Sequence, residues 1–182
     1  LDEAIMELKN ENEEIRNSTS AGSHQFTDSH ASNYVLDCQI DTDMEILIPD
    51  EYITNIGERL ALYKELDDIE KEADLHRYEL NLRDRFGEVP KQVRELINTI
   101  RLRWMAKDIG FEKVVLKSSK LIGYFVLNQN SPYYQSESFT KVLKYVQHHS
   151  KLCKMKENRD KLSLTFENIK SVDEAIRALK PI

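Results

Sequence analysis

The chain has 182 residues, 40% hydrophobic and 32% charged, with a net charge of −6, enough for one ordinary domain with an appendage or two small units sharing a core. No apolar run approaches the roughly 18 residues that a membrane helix needs, and Leu1 to Lys9 mixes acids with apolar residues, unlike a signal peptide. Two cysteines, Cys38 and Cys153, are too few for a disulfide framework and fit a reducing cytoplasm.

Leu1, Ile5, Leu8 and Ile15 mark the apolar side of a helix that loses its pattern after Arg16. Residues 17–33 are small and polar, with Phe26 their one large apolar side chain, and read as a flexible linker. Two apolar runs, Tyr34 to Ile40 and Glu45 to Ile48, predict strands separated by an acidic DTD. The spacing of Ile56, Leu60, Tyr63, Leu66 and Ile69 predicts the inner face of a helix; Leu75, Tyr78, Leu82 and Phe86 predict a second, ended by Gly87. Pro90 opens a third, with Val93, Leu96, Ile97, Ile100 and Trp104 as its inner stripe and Gly110 as its close.

After Gly110 the period turns strand-like. Phe111 to Leu116 and Leu121 to Leu127 predict a hairpin around Lys117 to Lys120. Phe139, Val142, Leu143 and Val146 outline a helix after Pro132. Leu152 to Lys156 and Leu162 to Phe166 flank the turn-like Glu157 to Asp160, and Ser171 to Glu174 is a capping box opening a last helix. The expected fold is α+β: an N-terminal connector helix, then a helical hairpin unit packed with a small β-β-α-β-β-α unit. The expected divisions are 1–16, 17–33 and 34–182.

Chemistry is sparse. No GxxxxGK[ST] loop occurs and only five glycines are present, so no nucleotide cradle is expected. No GxSxG turn or cysteine motif marks a nucleophile. His24 with His30, and His148 and His149 with Cys153, are too few for a metal site, and Glu70, Glu72 and Asp74 read as a solvated helix junction. Charge is uneven: residues 1–100 hold 10 Lys+Arg against 24 Asp+Glu, and residues 101–182 hold 16 against 8. Lys151, Lys154, Lys156, Arg159 and Lys161 form the most basic stretch and are candidates for phosphate contacts in a nucleic-acid-binding module.

Three segments carry a resemblance: Ile48-Pro49-Asp50-Glu51-Tyr52-Ile53; then Arg59-Leu60 with Leu62-Tyr63-Lys64; then Asp84-Arg85-Phe86-Gly87-Glu88-Val89-Pro90. In that order and spacing they resemble the C-terminal domain of the transcription-repair coupling factor family, over residues 44–110 and through the order of elements beyond. Leu1 to Lys9 looks like the end of that family's translocase part.

The resemblance implies a non-catalytic regulatory and docking domain over 34–182. The parent would be an ATP-dependent double-stranded DNA translocase that displaces stalled RNA polymerase and recruits excision repair, with ATP and Mg in upstream motors and no cofactor in this fragment. The family's domain folds back on the N-terminal damage module and hides the UvrA-binding surface. On that reading the contact candidates are Asp84, Asn81, Glu79 and Arg85. Family members commonly carry Glu three positions before the aspartate, where this chain has Asn81, so either the contact is weaker here or the neighbouring Glu79 takes over the charge.

Overall fold

A computed structural model describes residues 34–182 of the chain; the helix expected over 1–16 and the linker over 17–33 lie outside the described residues. Three helices come first: α1 Ile56–Asp67, α2 Glu72–Phe86 and α3 Lys91–Ile109. Asn55 caps α1 by accepting from the Glu58 N–H, and Gly87 ends α2 at φ +85°. Pro90 occupies the cap position of α3, and Gly110 closes that helix in the left-handed region at φ +107°, a conformation glycine adopts without cost.

The sheet has five strands: β1 Gln39–Thr42, β2 Phe111–Lys117, β3 Lys120–Phe125, β4 Cys153–Asn158 and β5 Lys161–Glu167, in the order β1-β2-β3-β5-β4. β1 runs parallel to β2 and the other pairs are antiparallel. Both expected hairpins are present. Their turns are Ser118-Ser119 and Arg159-Asp160, all four residues at positive φ, the geometry that matches the right-handed twist of adjoining strands. A 3-10 turn, Pro132–Gln135, leads into α4 Glu137–His148, and α5 Val172–Leu179 ends the fold. The Ser171 hydroxyl accepts from the Glu174 N–H, while the Glu174 carboxylate accepts from the Lys170 N–H, one residue before the cap.

The longest helix joins two cores. The first half of α3 gives Val93, Ile97 and Ile100 to a helical core with Leu62, Leu66, Leu75, Tyr78 and Leu82. Its second half gives Leu102, Ala106 and Ile109 to a sheet core with Phe111, Leu121, Tyr133, Leu164 and Leu179. At about 1.5 Å per residue the helix is long enough to serve both. In the sheet core, Phe111 covers Gly123, where an added Cβ would lie 2.4 Å from its ring.

Three expectations are corrected. The strand expected over Tyr34 to Ile40 is confined to β1 and takes in Asp41 and Thr42 from the acidic DTD. An acid is tolerated there because the Lys117 ammonium lies 2.8 Å away; its hydrogen bond holds the Asp41 carboxyl below the usual carboxylate range. Glu45 to Ile48 is not a strand. The Thr42 hydroxyl donates to the Leu116 carbonyl and Asp43 accepts from the Ser118 N–H. The chain then leaves the sheet, and Ile48 joins the helical core.

The inner face of α1 is also rotated in its first turns. Ile56 and Leu60 are 66% and 64% exposed and Leu62 is buried in their place, while Leu66 is buried and Tyr63 and Ile69 half-buried as expected. On the third helix Val93, Ile97 and Ile100 are buried as expected, with Leu96 and Trp104 half-buried.

Candidate docking surface

The residues that make the chain recognisable build one brace. In the segment before α1, the Pro49 carbonyl accepts from the N–H groups of Tyr52 and Ile53, making a tight turn. The Ile48 N–H donates to the Tyr63 hydroxyl of α1 at 2.7 Å. Arg59, one turn into α1, donates to the carbonyls of Ile53 and Thr54 at 2.6 and 3.2 Å, and its guanidinium lies 3.3 Å from Asp50. Those bonds fix both the turn and the rotation of α1.

Tyr52 carries the brace to α2. Its hydroxyl reaches the Leu82 and Gly87 carbonyls at 3.2 and 3.1 Å, and its ring meets Phe86 edge-on at 5.9 Å. Arg85 lies 4.7 Å over the Phe86 ring and pairs with Glu58 of α1. The Asp-Arg-Phe-Gly corner is therefore held by aromatic and charged contacts from two directions, and α2 is presented at a fixed angle. A second tie joins α2 to α3, where Arg101 grips both carboxylate oxygens of Glu72. Glu72 is thus paired rather than merely solvated.

Asn81 and Asp84 lie three residues apart, so they share the outer face of α2, and both are exposed. Among the described residues the ion pairs of this region join Arg77 to Asp74, Arg85 to Glu58 and Arg94 to Glu88, leaving Asp84 out. Asp84 also sits in the last turn of its helix. There the helix dipole disfavours an acid by about 0.3–1 kcal/mol, whereas Arg83 and Arg85 suit it. The fold gives no local reason for a carboxylate at 84.

Glu79 stands elsewhere. Two positions before Asn81, it is turned about 160° around the helix and lines a groove of about 260 Å³ with His76, Arg83, Glu88 and Arg94. The structure therefore brings together Asn81, Asp84 and Arg85 but sets Glu79 on another side.

Of the basic candidates, Lys154, Lys156 and Lys161 lie on strands of the sheet, Lys151 precedes β4 and Arg159 is at a hairpin tip. Lys113, Lys117, Lys120 and Tyr124 join them on the sheet and were missed by a reading confined to the basic stretch, although their alternation in β2 and β3 was visible. Among the described residues no group of three His, Cys, Asp or Glu side chains is placed to hold a metal. His149 instead stacks on Tyr145 at 4.2 Å, and Cys153 is buried. His24 and His30 lie outside the described residues. Among those residues no helix is long and apolar enough to cross a membrane.

Fold and brace define a small mixed α/β domain whose distinctive sequence serves a helical corner. The family model described as the TRCF domain matches residues 42–136, which covers the brace, α3 and the first hairpin; the chain belongs to that family. It is 33% identical over 76 residues to a transcription-repair-coupling factor of Escherichia coli, covering 42% of this chain and 7% of the relative. A factor of the same name from Buchnera aphidicola subsp. Acyrthosiphon pisum is 31% identical over 131 residues, 71% of this chain and 15% of the relative. The chain thus matches a small part of each relative's length. A crystal structure of the C-terminal domain of transcription-repair coupling factor aligns with a TM-score of 0.62 at 20% identity, covering 80% of this chain and 88% of that one. It shares the fold.

Proposed function

We propose that residues 34–182 are a non-catalytic regulatory domain of a transcription-repair coupling factor, docking reversibly through the outer face of α2 on the N-terminal damage module of the same protein. Docking masks the UvrA-binding surface and restrains an ATP-driven motor on double-stranded DNA until RNA polymerase is engaged. The observation that carries this reading is the uncompensated Asp84 beside Asn81, on a helix whose angle is fixed by Tyr52, Arg59 and Arg85. A charge left without a partner on a rigid support suits a releasable interface, where charge complementarity sets register and salt sensitivity more than affinity. Family membership and the shared fold support the assignment to such a factor.

Calorimetry of the chain against the N-terminal damage module, at low and moderate salt, tests it. Salt-sensitive binding that Asp84→Ala weakens and Asn81→Glu strengthens is the expected result. Absence of binding at either salt overturns the proposal.

A further inference from the structure

The face of the sheet turned away from α3 and α5 is not covered by any helix among the described residues. Side chains alternate across a strand. Val114, Leu116, Leu121, Leu164 and Phe166 point into the sheet core, and their strand neighbours point out. The strand register places these neighbours in rows. One row reads Lys113, Tyr124, Ser163, Lys156 across β2, β3, β5 and β4, and the next reads Val115, Ile122, Thr165, Lys154. A groove of about 540 Å³ runs over this face.

Its charge is predominantly positive. Of the acids on it, Asp41 pairs with Lys117 at 2.8 Å and Glu167 with Lys120 at 3.4 Å, while the Glu112 carboxylate at the groove's end accepts from the Leu127 N–H at 3.1 Å. Lys113, Lys154, Lys156 and Lys161 enter no ion pair among the described residues. Adjacent strands lie about 4.8 Å apart, so Lys113 and Lys156 stand about 14 Å from one another with the Tyr124 ring between them.

We propose that this open sheet face binds single-stranded nucleic acid, with phosphates held by Lys113, Lys154, Lys156 and Lys161 and a base stacked on Tyr124. Two features favour that occupant. Lysine is depleted at the centres of protein interfaces, whereas lysines line this face on both sides of Tyr124 and its exposed apolar surface is confined to Val115, Ile122 and, at one end, Leu127. The Tyr124 ring stands on the sheet face between lysines of the neighbouring strands, so a base reaches it only when free of a duplex stack. The proposal is independent of the docking role of α2, which lies in the helical unit.

The test is fluorescence anisotropy of the 182-residue chain with a labelled oligothymidylate of about 20 nucleotides, longer than a typical single-fold site. With four phosphate contacts, affinity is expected to fall about 50-fold between about 50 and 200 mM salt, from a slope near −0.7 per contact. Lys113→Ala and Lys156→Ala each reduce that slope by about 0.7, while Lys180→Ala on the far helix does not. Tyr124→Ala weakens binding about tenfold with the slope unchanged, and Tyr124→Phe keeps the affinity. Circular dichroism confirms that each variant is folded. No binding at the lower salt overturns the proposal, as does a duplex bound as tightly as the single strand with Tyr124→Ala without effect. Equal binding of a polyglutamate peptide, lost through the same lysines, also overturns it in favour of an acidic protein partner.

Discussion

The Tyr52 hydroxyl lies 3.1 Å from the Gly87 carbonyl oxygen and 3.2 Å from that of Leu82, joining the turn before α1 to the last turn of α2. Gly87 caps the helix, beyond the last carbonyl that the helix itself can pair, so this phenol satisfies a group that would otherwise need water while also touching the carbonyl of Leu82. Burial, and to a lesser degree the Glu88 charge, push its pKa above the usual tyrosine value, which keeps the donor protonated. Tyr52→Phe keeps the ring against Phe86 and is expected to cost about 1 kcal/mol. The urea midpoint measures that cost. A variant as stable as the parent would remove Tyr52 from the brace.

The two glycines that end helices are held by different constraints, and alanine separates them. At Gly87 the backbone sits at φ +85°, ψ −160° with nothing within 4 Å of an added Cβ; Gly87→Ala is expected to cost only the backbone term, about 1–3 kcal/mol. At Gly110 an added Cβ would lie 2.2 Å from the buried Tyr133 ring, whose hydroxyl donates to the Ile109 carbonyl at 2.5 Å. Gly110→Ala therefore combines backbone strain with overpacking, about 2–5 kcal/mol together. Thermal unfolding of the pair checks the order; equal losses would show that the Tyr133 contact relaxes freely.

Period and punctuation carry most of this fold. The helix ends at Gly87 and Gly110, both hairpins and the Ser171 cap are visible in the sequence because each depends on a few adjacent residues. What adjacent residues do not determine was misread. β1 has only four residues and exists through its parallel pairing with β2, more than seventy positions away, which also sets Asp41 beside Lys117. The double role of α3 is hidden because its inner stripe meets one core in its first half and another in its second. Asp84 was picked out by family resemblance; its lack of a partner required the structure. The open sheet face was half visible, since Lys154, Lys156 and Lys161 stood out as basic while Lys113 and Tyr124 reach them only through strand pairing.

The rotation of α1 gives a direct test of that misreading. Of the stripe Ile56, Leu60, Tyr63, Leu66 and Ile69, Leu66 is buried and Tyr63 and Ile69 pack against the core, but Ile56 and Leu60 face outward and Leu62 enters the core instead, with Arg59 bonded to Ile53 and Thr54. Leu62→Ala is expected to cost about 2–5 kcal/mol, and Leu60→Ala less than about 0.5 kcal/mol. Chemical denaturation distinguishes them, and the reverse order would restore the face that spacing alone suggests.

Alkaline pH should unfold the domain through groups that burial holds neutral. Desolvation first, and then the Asp37 charge, push the Cys38 thiol up to about 12 from an ordinary 9.0. Burial likewise raises the phenols of Tyr78 and Tyr133 above their usual 10.0. For each, the unfolded chain loses its proton at a lower pH than the folded one. The stabilisation is therefore complete below the unfolded value and is lost as pH rises through the folded value. Cys38 acts first, from about pH 9, with a limiting slope of about 1.4 kcal/mol per pH unit, and the tyrosines join above about pH 10. Urea midpoints taken between about pH 8 and 11 should stay level and then fall, and Cys38→Ala should flatten the first part of the fall. A midpoint constant to pH 11, or Tyr78 and Tyr133 ionising near 10 in the folded protein by ultraviolet titration, would show that these groups are solvated.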